Sequence, residues 1–507
     1  MADDPIDGLR ESRDIDFGAF DERVREEGKF VKEHLAEGTF DNDQTALGLE
    51  HEFYAVDREG HTIRRVPRSL LTCLGFEKEL GLHNAELNTA VQPCNGPGID
   101  ALLNEIEAKT QSLQARAAEE GIRFVSDGMW TIGPEENTTR NYLVEATHEE
   151  GLTLAINVSN AVRYHGFASS RRAVASRIDL PGVTVDADSH GPVSLTTSIQ
   201  PHYQFRRAID LPDHFGIALR VAGPLLALGV NSPFLPPGLY DDPGPDRDLL
   251  LREGWAENRV PVYEGMMNPP DGPAKVRFPE DIDTPEEAVD RIVEDRTIVP
   301  AKIHAGERFD DGFVHLRHKH GSYWRWIRPV FGGASAMAAN VRVEFRPLPA
   351  QPTFRDSVAF VAAVTGLLTA LHERDHPARG LSWETAHDNF YAAARDGLGA
   401  DLTWITAEGD RTKSTDRLYA DLLETAVDGL IRQGFPPEQA AAWISPLRER
   451  ADRGLTPAGW KRQHVAAGLE EGLSPTDAVH RAQRAYIDRQ AASLLSGTFT
   501  DWPDPGV

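Results

Sequence analysis

The chain has 507 residues, 40% of them hydrophobic, and carries 79 acidic against 53 basic side chains for a net charge of −26. Nucleic-acid binding needs concentrated positive charge, which this balance argues against, and no uninterrupted apolar run reaches the ~18 residues of a membrane span. Two cysteines, Cys73 and Cys94, supply neither a disulfide framework nor a CxxC zinc site.

The opening MADDPIDGLRESRDIDFG is acidic and polar, without the basic start and apolar run of a secretory signal. A reducing cytoplasm is the expectation. An acidic, Lys-poor surface suits solubility in high salt, so the charge reads as the solvent adaptation of a halophile. A docking surface for a basic partner accounts for it less well, because the acids run along the whole chain. The length suggests two or three domains, or one large α/β domain with an appendage.

In chain order, residues 1–44 read as a polar leader with a charged helix from Phe20 to Ala36. TALGLEHEFYAVD (45–57) reads as a strand entering a hairpin at DREG. HNAELNTAVQP (83–93) is a second strand, and 98–120 is a helix by its apolar spacing. IRFVSDG is a further strand, and SLTTSIQPHYQFR (194–206) is a long alternating one. Residues 212–230 form an apolar helix ending in NSPF. The Pro- and acid-rich stretch 265–311 reads as loop with one helix at 284–295. YWRWIRPV and ANVRVEFRPLP close the sheet, and from about 355 onward the pattern is amphipathic helices with Ser, Thr or Pro starts. The expected division is therefore a leader (1–44), an antiparallel α+β domain (45–354) and a helical region packed on it (355–507).

Four strand faces carry possible chemistry. Glu50 and Glu52 are two residues apart and share a face; paired carboxylates repel unless a cation lies between them, and hard oxygen ligands suit Mg²⁺. Alone, a solvent-facing pair is the better reading. Glu86 lies among apolar and small residues with Asn88 on its face; alone it reads as an exposed acid. In TTSIQPHYQFR, Thr196, Ser198, Gln200, His202, Gln204 and Arg206 fall on one face. Pro201 has no N–H for the ladder, so this strand is expected to be locally unpaired or at an edge, and an exposed edge explains it as well as a site does. In NVRVEFRPLP, Arg342, Glu344 and Arg346 oppose Val341, Val343 and Phe345. That row is either a surface ion ladder or a phosphate-transfer site with Glu on metal and Arg on phosphoryl oxygens.

Other features are weaker. His165, His190 and His304 lack metal-ligand spacing. Tyr323, Trp324 and Trp326 read as packing. GGAS (332–335) has no P-loop context, and no GxSxG elbow occurs. Cys94 reads as a small structural residue in a turn rather than a nucleophile.

Taken together and in order, these stretches resemble the glutamate–cysteine ligase family, in particular its bacterial and archaeal carboxylate–amine ligase branch. GLEHEFYAV resembles the G-x-E-x-E strand, AELNTAVQPCNG the second acidic strand, SIQPHYQF the Q-x-H strand and NSPF the turn after the central helix. YWRWIRPVFGGA and VRVEFRPLPAQPTFRDSVAFVAAV are similar to the W-x-x-R-P and E-x-R strands. NFYAAARDGLGADL is similar to N-x-W-x-A-A-R-x-G-L. The resemblance spans roughly 45–500.

It implies a glutamine-synthetase-like fold: a curved, mainly antiparallel sheet, helices on its outer face and a helical C-terminal region. It also implies ATP and Mg²⁺, with Mn²⁺ as a substitute. Glu50, Glu52, Glu86, His202 and Glu344 would bind metal, Arg346 would face the γ-phosphate, Gln200 would line the nucleotide site, and Arg346 with Glu52 would be catalytic. The implied reaction joins the γ-carboxylate of glutamate, or a similar carboxylate, to an amine such as cysteine through an acyl phosphate. Pro201 stands where the family has an apolar residue, Phe390 where it commonly has Trp, and 265–311 matches poorly. The amine is not identified; Arg252, Arg259 and Arg328 are candidates for its pocket. A divalent-metal enzyme of another reaction type, or a non-catalytic relative that binds the ligands, stands as the alternative. No nucleic-acid or membrane partner is expected, and oligomeric state is left open, a homo-oligomer included.

Overall fold

The computed structural model describes residues 5–149, 151–169, 176–268, 273–304 and 306–503; parts of the 265–311 stretch and the side chain of Cys73 lie outside the described residues. The sheet that organises the molecule contains β1 (Ala46–Asp57), β2 (Glu77–Lys78), β3 (Asn84–Asn88), β4 (Gln92–Pro93), β5 (Ile122–Val125), β10 (Ile199–Gln204), β11 (Ile327–Gly332) and β12 (Asn340–Phe345). Two small hairpins, β6 (Ala146–Glu149) with β7 (Leu152–Ala155) and β8 (Ser176–Leu180) with β9 (Val183–Ala187), are inserted between β5 and β10. The strand order is β11-β12-β10-β1-β3-β2, with β4 and β5 also paired to β1, and every named pair is antiparallel. It forms a curled antiparallel half-barrel, the fold that the family resemblance implies.

Alternation decides what each face meets. Val341, Val343 and Phe345 of β12 are fully buried on the helix side, where helices Leu211–Gly229 and Phe354–Glu373 pack on the sheet. The second of these is long and apolar enough to cross a membrane, yet it is almost wholly enclosed by protein. It meets helix Thr415–Arg432 at Gly366 and Gly429. A Cβ on Gly366 would lie 2.1 Å from the Ala426 carbonyl oxygen, and one on Gly429 only 1.8 Å from that of Gly366. Only glycine permits that approach, at a helix-propensity cost of about 1 kcal/mol each.

The N-terminal leader is ordered into two helices, Pro5–Asp14 and Phe17–Ala36. Asp16 caps the second through the Ala19 N–H, and Phe20, Val24 and Val31 recur on one buried face against the helices at Pro285–Glu294 and Val314–His320. Its remaining faces are charged, which is why it reads as polar.

The 194–206 stretch differs from expectation. Gly191–Leu195 coils into a 3-10 turn opened by Pro192, and the strand runs only from Ile199 to Gln204. That strand is also central rather than an edge, lying between β12 and β1. Pro201 is accommodated because pairing to β12 begins only at His202, opposite Glu344, so the missing N–H falls beyond the β12 ladder.

Candidate active site

The face opposite the helices is polar on four adjoining strands, and register brings its residues together. Glu50 pairs with Gln200 on one side and Asn88 on the other. Glu52 stands opposite Glu86, and His202 opposite Glu344, which in turn faces Arg328. Glu50, His202 and Glu344 each offer a ligand atom within 4.8 Å of the others. The His202 Nε2 approaches Glu50 Oε1 at 3.1 Å but off the direction of a hydrogen bond, and it is left without a hydrogen-bond partner.

The concave face opens on a cavity of roughly 290 Å³ lined by Glu50, Glu52, Glu79, Glu86, Gln200 and Arg346, with aromatic walls from Tyr263, Trp324 and Trp326. Glu52 is 8% exposed and its carboxylate accepts from the Ser198 N–H (2.7 Å) and Gln200 Nε2 (2.9 Å). Gln200 Oε1 accepts in turn from Arg346 Nη1 at 2.6 Å. Glu344 accepts from Arg328 Nε at 2.8 Å and from Arg346. Glu86 accepts from Asn88 Nδ2 at 2.9 Å.

Electrostatics divide these carboxyls into two sets. Burial raises Glu344, but Arg328 and Arg346 outweigh it and hold this carboxyl well below the usual range. Burial likewise raises Glu50, and His202 overrides it, so Glu50 is lowered. Glu52 is pushed up to about 7 by burial and by Glu79. Glu86 is driven well above the carboxylate range by burial and by Glu50, Glu79 and Glu52. Glu79 is raised mainly by burial. Carboxyls this crowded do not all ionise unless positive charge joins them.

This supplies a test of fit for a divalent cation. The oxygens of Glu50, Glu52, Glu79, Glu86 and Glu344 are the hard donors Mg²⁺ or Mn²⁺ takes, and His202 Nε2 is a buried, unpartnered nitrogen aimed into the cluster. The donor set fits, and Arg342 Nε donates to the other ring nitrogen of His202, Nδ1, at 3.1 Å.

All seven residues singled out from the sequence (Glu50, Glu52, Glu86, Gln200, His202, Glu344 and Arg346) therefore fall on one concave surface. Arg259 and Arg328 belong to it as well. Arg259 Nη2 donates to the Arg346 carbonyl at 3.2 Å and its guanidinium lies 5.2 Å over Trp326, so it fixes the backbone that presents Arg346. Arg252 does not belong: its side chain is exposed and pairs with Asp248 one helical turn away. Trp324 and Trp326 are cavity walls as well as packing, and His190 also lines the cavity.

Sequence reading missed Glu79. Its segment, EKEL, looks like surface, but the pairing of Glu77 with Glu86 folds it back over the acidic strand. Tyr164 OH donates to Glu79 at 3.1 Å and accepts from Arg163 at 2.8 Å. Cys94 is buried, and burial pushes its thiol up to about 12.

A family model described as glutamate-cysteine ligase family 2 matches residues 46–492. No curated protein matches the sequence. Among solved structures, a glutamate–cysteine ligase from Francisella tularensis in complex with AMP matches with a TM-score of 0.52 at 13% identity, over 90% of this chain and 91% of that one. A bifunctional glutathione synthetase from Pasteurella multocida matches with a TM-score of 0.50 at 13% identity, over 92% of this chain and 55% of that chain. At these identities the likeness is one of fold.

Proposed function

The chain belongs to glutamate-cysteine ligase family 2, and on that premise we propose that it is an ATP-dependent carboxylate–amine ligase. The observation that carries this reading is the convergence of Glu50, His202 and Glu344 within 4.8 Å beside Arg328 and Arg346, on a face that also presents Glu52, Glu79 and Glu86. A site of carboxylates and arginines without an activated nucleophile suits phosphoryl transfer, where positioning and charge stabilisation carry the rate.

In this reading Glu50, Glu52, Glu86, His202 and Glu344, joined by Glu79, hold the divalent cations. Bound there, Mg²⁺ neutralises charge on the ATP phosphate oxygens. Arg346 faces the γ-phosphoryl group as it leaves the β-phosphate for an oxygen of the substrate carboxylate. Gln200, hydrogen-bonded to both Glu52 and Arg346, keeps acid and cation in fixed relation. The amine then attacks the acyl carbon, phosphate departs, and the amine's proton is lost to solvent. We assign the carboxylate as that of glutamate or a similar amino acid, with Arg259 and Arg328 available to recognise its charge.

The test is ADP release in high KCl with Mg²⁺ and glutamate, screened over amine acceptors including cysteine. Release that requires both glutamate and an amine, and that Glu52→Gln abolishes, is the expected result. Unchanged activity in Glu52→Gln, or release without an acceptor, defeats the assignment.

A further inference from the structure

Asn84 lines the main cavity with a donor that the fold leaves unused. Strand alternation puts it on the concave face with Glu86 and Asn88, and it is 3% exposed. Its Oδ1 accepts from the Gly81 N–H at 3.1 Å, and its own N–H donates to the Gly81 carbonyl at 3.0 Å. A Cβ at Gly81 would collide with that Oδ1 and with the Ser194 Cβ, so glycine is what lets this backbone close on the amide. The hydrogen bond also assigns the amide's orientation: the acceptor end is taken and the donor end faces away from Gly81. Nδ2 is buried and finds no acceptor among the described residues. A buried donor without a partner opposes folding, and at a cavity wall a ligand can relieve it.

Position along the strand decides which part of a ligand Asn84 meets. Asn88 stands opposite Glu50, and Asn84 stands opposite Tyr54, four residues further on. At about 3.3 Å per residue, that is roughly 13 Å along the sheet from the level of Glu50, whose carboxylate groups with His202 and Glu344. A phosphoryl group held at that cluster is too distant to accept from Nδ2. The partner is therefore an acceptor at the other end of the cavity. Arg163, Arg328 and Arg346 line the same cavity, and their charge favours an anion over a neutral carbonyl.

We infer that Asn84 is a specificity-determining residue that donates through Nδ2 to a carboxylate of an amino-acid substrate, belonging either to the carboxylate donor or to the amine acceptor. A site built to donate to an oxygen discriminates against the analogue that lacks it, because the buried donor is then left unmet. The inference rests on the ligase reading for the identity of its ligand. Its measurement uses no turnover, so its failure is separable from a negative ADP-release assay.

The test is binding to the full chain by saturation-transfer NMR titration, in high KCl with Mg²⁺ and without ATP. Two pairs of probes each differ by one carboxylate: L-glutamate against 4-aminobutyrate, and L-cysteine against cysteamine. Asn84→Asp keeps the acceptor for the Gly81 N–H and replaces the donor with a charge of the same shape; Asn84→Ala removes both. Folding is checked by thermal melting. Wild type should prefer the carboxylate-bearing member of a pair, and in each variant the ratio of affinities within that pair should fall about tenfold. A fall in the glutamate pair assigns the contact to the carboxylate donor, and a fall in the cysteine pair assigns it to the acceptor. A merely structural role would weaken both members of a pair together and leave their ratio intact. Should one variant fail to fold, the other decides. Ratios unchanged in both pairs in a folded variant overturn the inference, as does a wild-type chain that binds none of the four probes.

Discussion

Glu52 and Glu86 stand directly opposite each other across the β1–β3 pair, with both carboxyls on the concave face. Like charges in that position destabilise a sheet, and burial adds to the cost, so this pair is retained against folding stability. Glu86→Gln keeps the acceptor that Asn88 Nδ2 uses while removing the repulsion. With a chelator present at pH 8, the variant should unfold about 1 kcal/mol less readily than wild type. Its ADP release should fall on the order of a hundredfold or more, because a cation ligand is lost. Denaturant melts and the coupled assay check the two halves separately.

The period-2 pattern is what made much of this site legible. Glu50 with Glu52, Gln200 with His202, and Glu344 with Arg346 each announce a shared face from spacing alone. Their convergence is another matter. It depends on β10 lying between β1 and β12, an order set by contacts far apart in the chain, and single strands cannot show it. Glu79 was hidden for that reason: the Glu77–Glu86 register brings its segment alongside the acidic strand, while EKEL itself has no periodicity. The length of the 194–206 strand was misjudged because alternation continues through residues that Gly191 and Pro192 start in a 3-10 turn. Arg252 and Arg259 look alike in sequence; only the fold turns one to solvent and stacks the other on Trp326.

Glu264 offers a pH test away from the acidic cluster. It accepts from Trp326 Nε1 and from Tyr391 OH, both at 2.7 Å, and burial pushes its carboxyl from 4.5 up to about 7. Between those values the folded chain holds a proton that the unfolded chain has released. Stability from this residue is therefore full below 4.5, is lost as pH rises to 7, and is flat above. Glu264→Gln keeps both accepted bonds, since both go to Oε1, and has no proton to lose. Its unfolding free energy should exceed that of wild type above pH 7 by roughly 1–3 kcal/mol, discounted for partial exposure, with the difference vanishing near pH 4.5. Urea melts at several pH values measure it.

Cys94 should be chemically silent. Its thiol is buried and pushed up to about 12, so the thiolate that reacts is scarce at neutral pH. Cys94→Ser should leave ADP release within about twofold of wild type. Peptide mapping after iodoacetamide should find Cys94 alkylated in the unfolded chain and spared in the folded one. Rapid alkylation of the folded protein at Cys94, with loss of activity, would reopen a nucleophilic role.

The C-terminal helices reach the catalytic sheet through a buried ion pair. Lys461, on helix Pro457–Glu470, donates to Asp127 Oδ1 and to the Asn231 carbonyl at 2.7 Å. Asp127 also accepts from Gln483 Nε2 at 2.8 Å and from Tyr54 OH at 3.2 Å, and Tyr54 belongs to β1, the strand of Glu50 and Glu52. Burial raises Asp127, and Lys461 is the first group opposing it. Both side chains are essentially without solvent contact, so removing one leaves the other charged and unpaired. Lys461→Met should therefore cost about 3–5 kcal/mol of stability. Lys461→Met with Asp127→Asn should recover much of that loss, because the amide no longer needs a counter-charge and can still accept from Gln483 and Tyr54. Since Tyr54 continues the strand that carries the two glutamates, the single variant should also weaken Mn²⁺ binding in whatever fraction stays folded, and the double variant should restore it. If instead the double variant is as unstable as the sum of the two singles, the pair is not coupled.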